Sequence, residues 1–167
     1  MKNRDNTRAE KRRGTSRRNY TATPLCKAID ATAEVAGHAC PGLQALKKGD
    51  ASKISCNTDK LGVSLDIDST LKESRHQEHR WDYVVEYGER IYFIEVHPAS
   101  AASRVSEMIA KVDWLNEWLK KDAPEIGKLK RPGERPIWIH TGKNTIGRAG
   151  MRRLAQKLQI LPALNLQ

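Results

Sequence analysis

The sequence predicts an α/β domain in which a mixed central sheet, containing a β-hairpin, is flanked by helices. Three observations lead there. Two runs rich in Val, Ile, Tyr and Phe flank Gly88-Glu89 within Trp81–Pro98, the pattern of a hairpin closed by a two-residue turn. A long segment of helical apolar spacing follows this hairpin, and a short apolar run, Pro136–His140, follows that. The order helix, strand, hairpin, long helix, strand, helix has no internal repeat and is the pattern of helices packed on a mixed sheet.

Met1–Thr23 is dominated by Arg, Lys, Asn, Thr and Ser, with Tyr20 as its one large apolar residue. Such a segment cannot offset its ordering entropy by burial, so residues 1–23 are expected to form a disordered basic arm and residues 24–167 a single domain. From Leu25 to Lys48 the composition turns to Ala and Leu; Leu25, Ile29, Ala33 and Ala36 fall at helical spacing, and Gly37 and Pro41 break the run. A helix and a following helical turn are expected. Lys53–Cys56 and Leu61–Asp68 read as strands, the second alternating Leu61, Val63, Leu65 and Ile67 with Gly62, Ser64, Asp66 and Asp68. Thr70–Arg80 is polar, without a sustained period, and reads as a surface connection.

In the hairpin, Gly precedes Glu in the turn, which suits type II′. Ser100 is placed to cap the long helix, whose Val105, Met108, Ile109, Val112, Leu115 and Leu119 recur at three- and four-residue steps until Pro124, with Trp114 and Trp118 widening the stripe. Asp122–Arg135 is a basic loop, Pro136–His140 a buried strand, and Gly147–Gln159 a last helix. Backbone contact with phosphate by the Thr141-Gly142-Lys143 loop is a further expectation, although the glycines of a phosphate loop are missing.

The net charge of +10 is unevenly placed. Residues 1–19 hold eight Lys and Arg against two Asp and Glu, residues 20–119 hold 11 against 15, and residues 120–167 hold 11 against three. Basic ends attract a polyanion, and an acidic middle can hold a divalent cation. Nucleic acid is therefore the expected partner, with Arg12, Arg13, Arg17 and Arg18 in the arm and Lys143, Arg148, Arg152 and Arg153 near the C-terminus as candidate contacts. DNA and RNA stay equal at this point. No apolar stretch approaches the roughly 18–20 residues a spanning helix needs, so no membrane partner is expected. Three cysteines, an odd number, and no apolar leader predict a reduced, cytoplasmic compartment. The spacings of Cys26, His38, Cys40 and Cys56 match no standard zinc pattern.

A two-residue turn at 88 and 89 pairs Tyr87 with Arg90 and, along the same ladder, sets Asp82 against Glu95. Their Cβ atoms then lie about 4.5–5.5 Å apart, where like charges repel and a cation is needed. Alternation puts His97 on the face of Glu95, and Asp66 or Asp68 on the preceding strand can add an oxygen ligand. These groups suit Mg²⁺ or Mn²⁺. A plainer reading makes Asp82 and Glu95 half-exposed partners of Arg80 or Arg90, and His97 the end of its strand.

Asp82, twelve intervening residues and then Glu95-Val96-His97 resembles the PD-(D/E)XK nuclease superfamily, over roughly Leu25–Ile160. The resemblance implies a restriction-endonuclease-like fold: a helix, a three-stranded stretch bearing the motif, a helix and a further strand. It implies that Asp82 and Glu95 hold a metal, to which Asp68 is the further ligand chosen by strand position, and that His97 stands where the family has the Lys that positions or activates water. Trp81 stands where the family has Pro. Imidazole can bind a metal or carry a proton but is not a fixed cation, so the missing charge is sought on the next helix, at Arg104 or Lys111. Three functions follow: a metal-dependent nuclease with Asp82, Glu95 and His97 as catalytic residues, a catalytically inactive nucleic-acid-binding module, or a protein adaptor using Trp114 and Trp118.

Overall fold

The computed structural model describes residues 20–167. The arginines at 12, 13, 17 and 18, and the expected arm as far as residue 19, lie outside the described residues. Four short elements, two α-helices and two strands, precede the sheet's main strands. Helix α1 (Pro24–Asp30) starts where the Thr23 hydroxyl accepts the Cys26 N–H at 3.3 Å and Pro24 fills the first helical turn. It has only seven residues, and turns carry the chain on to Gly37, whose φ of +78° suits glycine. Strand β1 (Cys40–Pro41), helix α2 (Lys48–Ala51) and strand β2 (Ile54–Cys56) follow. Where a second helical turn was expected, the chain instead pairs β1 with β3 (Leu61–Asp66).

Strand β3 ends at Asp66, short of Asp68. The Asp66 carboxylate accepts the Ser69 N–H at 2.8 Å and caps helix α3 (Ile67–Leu71), so local capping overrides the alternation that extends to Asp68. Asp68 therefore sits on a helical turn. The connection through 72–80 is polar turn structure, as expected, and Arg75 anchors it by pairing with Glu34 at 2.8 Å, Glu78 at 3.2 Å and Asp122 at 2.9 Å.

Strands β4 (Tyr83–Tyr87) and β5 (Arg90–Pro98) form the hairpin, with Tyr87 opposite Arg90 and Tyr83 opposite Ile94. Gly88 has φ +61° and, among the described residues, no non-glycine residue has positive φ, which is what a type II′ turn requires of Gly88-Glu89. Helix α4 (Ser103–Lys121) crosses to β6 (Ile137–Thr141), with the single turn α5 (Pro124–Gly127) between. Ser100 does not cap it; the helix opens after Ala102 without a side-chain cap, through a tight turn in which Arg104 N–H reaches Ala101 O at 3.1 Å. Helix α6 (Arg148–Ala155) is shorter than the expected 147–159. The chain leaves the helix after Ala155 so that the Gln159 N–H can donate to Pro136 O at 2.9 Å, starting β7 (Gln159–Leu161), and β8 (Leu164–Leu166) lies beside β2.

The result is a mixed six-stranded sheet, ordered β1-β3-β4-β5-β6-β7, with a separate parallel pair of β2 and β8. Within that sheet β1, β3, β4 and β5 run antiparallel to one another in turn, and β5, β6 and β7 are parallel. One face packs against α1, α4, α5 and α6 through Ile29, Val63, Leu65, Trp81, Val84, Phe93, Met108, Leu115, Ile126 and Leu154. The other packs Tyr83, Val85, Ile94 and Ile139 against Leu46 and the β2–β8 pair. Trp118 is 1% exposed and stacks on Trp114 at 5.7 Å, so half of the pair offered to an adaptor function is core. Among the described residues no helix is long and apolar enough to cross a membrane.

Candidate functional site

Asp82, Val84 and Glu86 on one strand, and Phe93, Glu95 and His97 on the next, share the face beneath α4, because successive side chains alternate along a strand. Most of this face is apolar, so each of its carboxylates needs a named partner. Glu86, 4% exposed, accepts the Leu25 N–H at 3.0 Å and the Val63 N–H at 3.4 Å, fastening the start of α1 over β3. Gly62 makes room for it: a Cβ there would fall 2.2 Å from Glu86 Oε2. Glu86 is structural, and sequence reading did not single it out.

Asp82 and Glu95 meet just past the last ladder pair of the hairpin. The Asp82 N–H donates to Glu95 Oε2 at 3.0 Å, and the Val96 N–H donates to Asp82 Oδ2 at 3.0 Å. The two carboxylates thus replace the backbone bonds that the diverging strands would otherwise lose. Their charges are met from above. Lys111 on α4 donates to Glu95 Oε1 and lies 3.7 Å from Asp82 Oδ1. Glu95 is fully enclosed, while the side chains of Asp82 and Lys111 keep 19% and 13% of their exposure and form the opening of the site.

Burial and the neighbouring Asp82 charge push the Glu95 carboxyl up to about 8, against the pull of Lys111. Burial also raises Asp82, opposed by Lys111 and the Val96 N–H. Burial works to lower Lys111, but the charges of Glu95 and Asp82 outweigh it and hold the ammonium above its ordinary range. Glu95 therefore keeps its proton in the folded chain through a window, from about 4.5 to about 8, in which the unfolded chain releases it. Unfolding in that window sheds a proton, so stability falls as pH rises through it. We expect Glu95→Gln to flatten the wild-type slope between those limits in urea titrations across pH; parallel slopes would mean that Glu95 ionises normally.

The other expected site residues divide. Asp68 reaches the neighbourhood from α3, where the Ile67 and Asp68 N–H groups converge on Asp82 O at 2.8 and 3.4 Å. Its negative charge bears on Asp82 and Lys111, yet its carboxylate is engaged by Arg80 at 3.0 Å. His97 shares the face of Glu95 but turns to α4, with Nε2 3.6 Å from Glu107 Oε1 and Nδ1 3.3 Å from Pro98 O. Arg104 also pairs with Glu107, and among the described residues no hydrogen bond or ion pair joins His97 to Asp82 or Glu95. Of the two cations sought on the next helix, Lys111 fills the place and Arg104 does not. The signal was a Lys three residues after Met108 and four before Leu115, at the helical spacing of the core-facing stripe.

Lys143 lies in the exposed loop after β6, which is tied to the end of β5 by the Thr145 N–H to Ala99 O bond at 2.9 Å. Arg148, Arg152 and Arg153 are exposed on α6, which packs so closely on α4 that a Cβ at Gly150 would fall 2.8 Å from Val105. The three cysteines are unpaired: Cys26 lies near Asp30, Cys40 near its own turn and Cys56 on β2. Among the described residues no three His, Cys, Asp or Glu side chains gather to hold a metal ion. Compared with known protein families, curated proteins and solved structures, the chain matches none.

Proposed function

We propose that this chain is a divalent-metal-dependent phosphodiesterase acting on nucleic acid, built on a restriction-endonuclease-like core. The observation that carries the reading is the Lys111 ammonium seated between Asp82 and Glu95, a cation already drawn to where the two carboxylates converge. Order along the chain supports it. Helix α1, the antiparallel run β3-β4-β5, helix α4 and the parallel strand β6 follow the sequence of elements that the PD-(D/E)XK resemblance implies, with Asp82 at the head of β4 and Glu95 within β5. Lys111 supplies from α4 the fixed positive charge that His97 cannot.

Mg²⁺ and Mn²⁺ fit this donor set, because such ions are commonly held by one or two carboxylates and complete their shell with waters and substrate phosphate. Asp82 and Glu95 would hold the ion, with Asp68 in reach on release from Arg80. When bound, the ion would lower the pKa of a coordinated water and stabilise charge developing on phosphate. Lys111 would then be free to donate to a phosphate oxygen, and the enclosure around Glu95 would strengthen that interaction. The exposed cations of the 141–153 segment supply a phosphate-binding flank at the end of β5.

A cation that binds the native chain alone stabilises it by about 2.7 kcal/mol at 100-fold over its dissociation constant. Calorimetric scans with EDTA and then with Mn²⁺ should therefore show a rise in melting temperature of roughly 5–10 °C for wild type. Asp82→Asn should lose most of it. An unchanged melting temperature in wild type, or an equal rise in Asp82→Asn, removes the metal site from the reading.

A catalytically inactive nucleic-acid-binding module is the second reading. It is favoured by the completeness of the carboxylate contacts: both Asp82 and Glu95 already accept backbone N–H groups as well as facing Lys111.

A further inference from the structure

At the opening ends of β5, β6 and β7, away from the Asp82–Glu95 pair, a cavity of about 150 Å³ is lined by Arg90, Lys130, Glu134 and Arg135 together with Ile91, Phe93 and Ile137 of the strands. Ile91, Phe93 and Ile137 are 5%, 3% and 5% exposed, so on the strand side the rim charges stand over protein interior, where their field is screened less than in water. The rim holds three cations and one carboxylate. Glu134 is taken by Arg90 at 2.8 Å. Arg135 donates to the carbonyl of Ala155, a neutral acceptor, which leaves its charge standing and several of its N–H donors unspent. Lys130 has no carboxylate partner among the described residues. Two positive charges at the rim are thus uncompensated.

We propose that this cavity binds a phosphate monoester carried on a sugar, independently of the acidic site. Charge selects the phosphate, since a monoester bears about −1.5 to −2 near neutral pH and matches the two free cations, whereas a carboxylate or a backbone diester carries a single charge. Size selects the carrier. The volume lies well below the roughly 300 Å³ at which pockets begin to hold drug-sized ligands, so it takes a phosphorylated pentose and leaves a base outside. The sugar sits against the strand ends, and Lys130 and Arg135 close on the phosphate oxygens from the rim. The same chemistry is offered by a free sugar phosphate and by the 5′-phosphorylated end of a nucleic-acid strand. Because the cavity is separate from Asp82 and Glu95, the assignment stands whether or not those residues cut nucleic acid.

Amide chemical-shift titrations of the full chain test it, with ribose 5-phosphate against ribose and a 5′-phosphorylated oligonucleotide against its 5′-hydroxyl twin. Ribose 5-phosphate, and not ribose, should shift the amides of Ile91, Tyr92 and Ile137. Lys130→Gln should weaken this binding about tenfold or more. Lys128→Gln should leave it within twofold, because Lys128 pairs with Glu125 outside the cavity and controls for loss of net charge. A phosphorylated oligonucleotide that shifts the same amides, where its hydroxyl twin does not, identifies the strand end as a source; if it shifts none of them, the source is a free sugar phosphate. The proposal is overturned if neither phosphorylated probe shifts those amides, or if Lys128→Gln weakens binding as much as Lys130→Gln.

Discussion

Lys111→Met should lower the unfolding free energy by about 3–5 kcal/mol at pH 9, the cost of leaving buried charge without its partner. The substitution keeps side-chain length and apolar stem, so packing along α4 changes little. What it removes is the cation shared by Asp82 and the fully enclosed Glu95. At pH 6 the loss should be smaller, because a Glu95 carboxyl pushed up to about 8 takes up a proton and no longer needs the ammonium. Adding Glu95→Gln should recover most of the pH 9 loss by removing the stranded charge. Urea unfolding of the three proteins at both pH values measures this; Lys111→Met as stable as wild type at pH 9 would mean that the contact is not made in solution.

This dependence on one lysine marks where sequence reading succeeds and where it stops. The opposition of Asp82 and Glu95 is legible because a two-residue turn at Gly88-Glu89 fixes a single index sum for every pair in the hairpin, and the observed pairing of Tyr83 with Ile94 keeps it. The stripe of α4 is legible because burial repeats with the helical period. Mixed sheet and flanking helices follow from those elements.

Other features depend on choices that local pattern does not encode. Asp66 ends its strand by capping the next turn, although Ile67 and Asp68 continue the alternation, and so Asp68 arrives at the site from a helix. His97 is assigned to the correct face, yet its direction is set by Glu107 on α4, a residue brought beside it only by the crossover. The same holds for Lys111, which sequence reading narrows to one of two candidates and packing selects. The pairing of β2 with β8 joins Ile54 to Leu164 across most of the chain, and each strand has three residues, too few for a period to show.

A metal-dependent cleavage assay at pH 7 tests the central claim most directly, using plasmid DNA and a structured RNA with Mn²⁺ or EDTA. Wild type should cut at least one substrate with Mn²⁺ and neither with EDTA. Glu95→Gln and Lys111→Met, each shown to be folded by circular dichroism, should cut about 10²–10³-fold more slowly, the loss expected when a charged group serving the transition state is removed from an enclosed site. His97→Ala should lose less than about tenfold, because His97 answers to Glu107 rather than to the carboxylate pair. That pattern assigns the chemistry to Glu95 and Lys111. Wild-type protein inert on both substrates with Mn²⁺, or Glu95→Gln cutting at the wild-type rate, contradicts it.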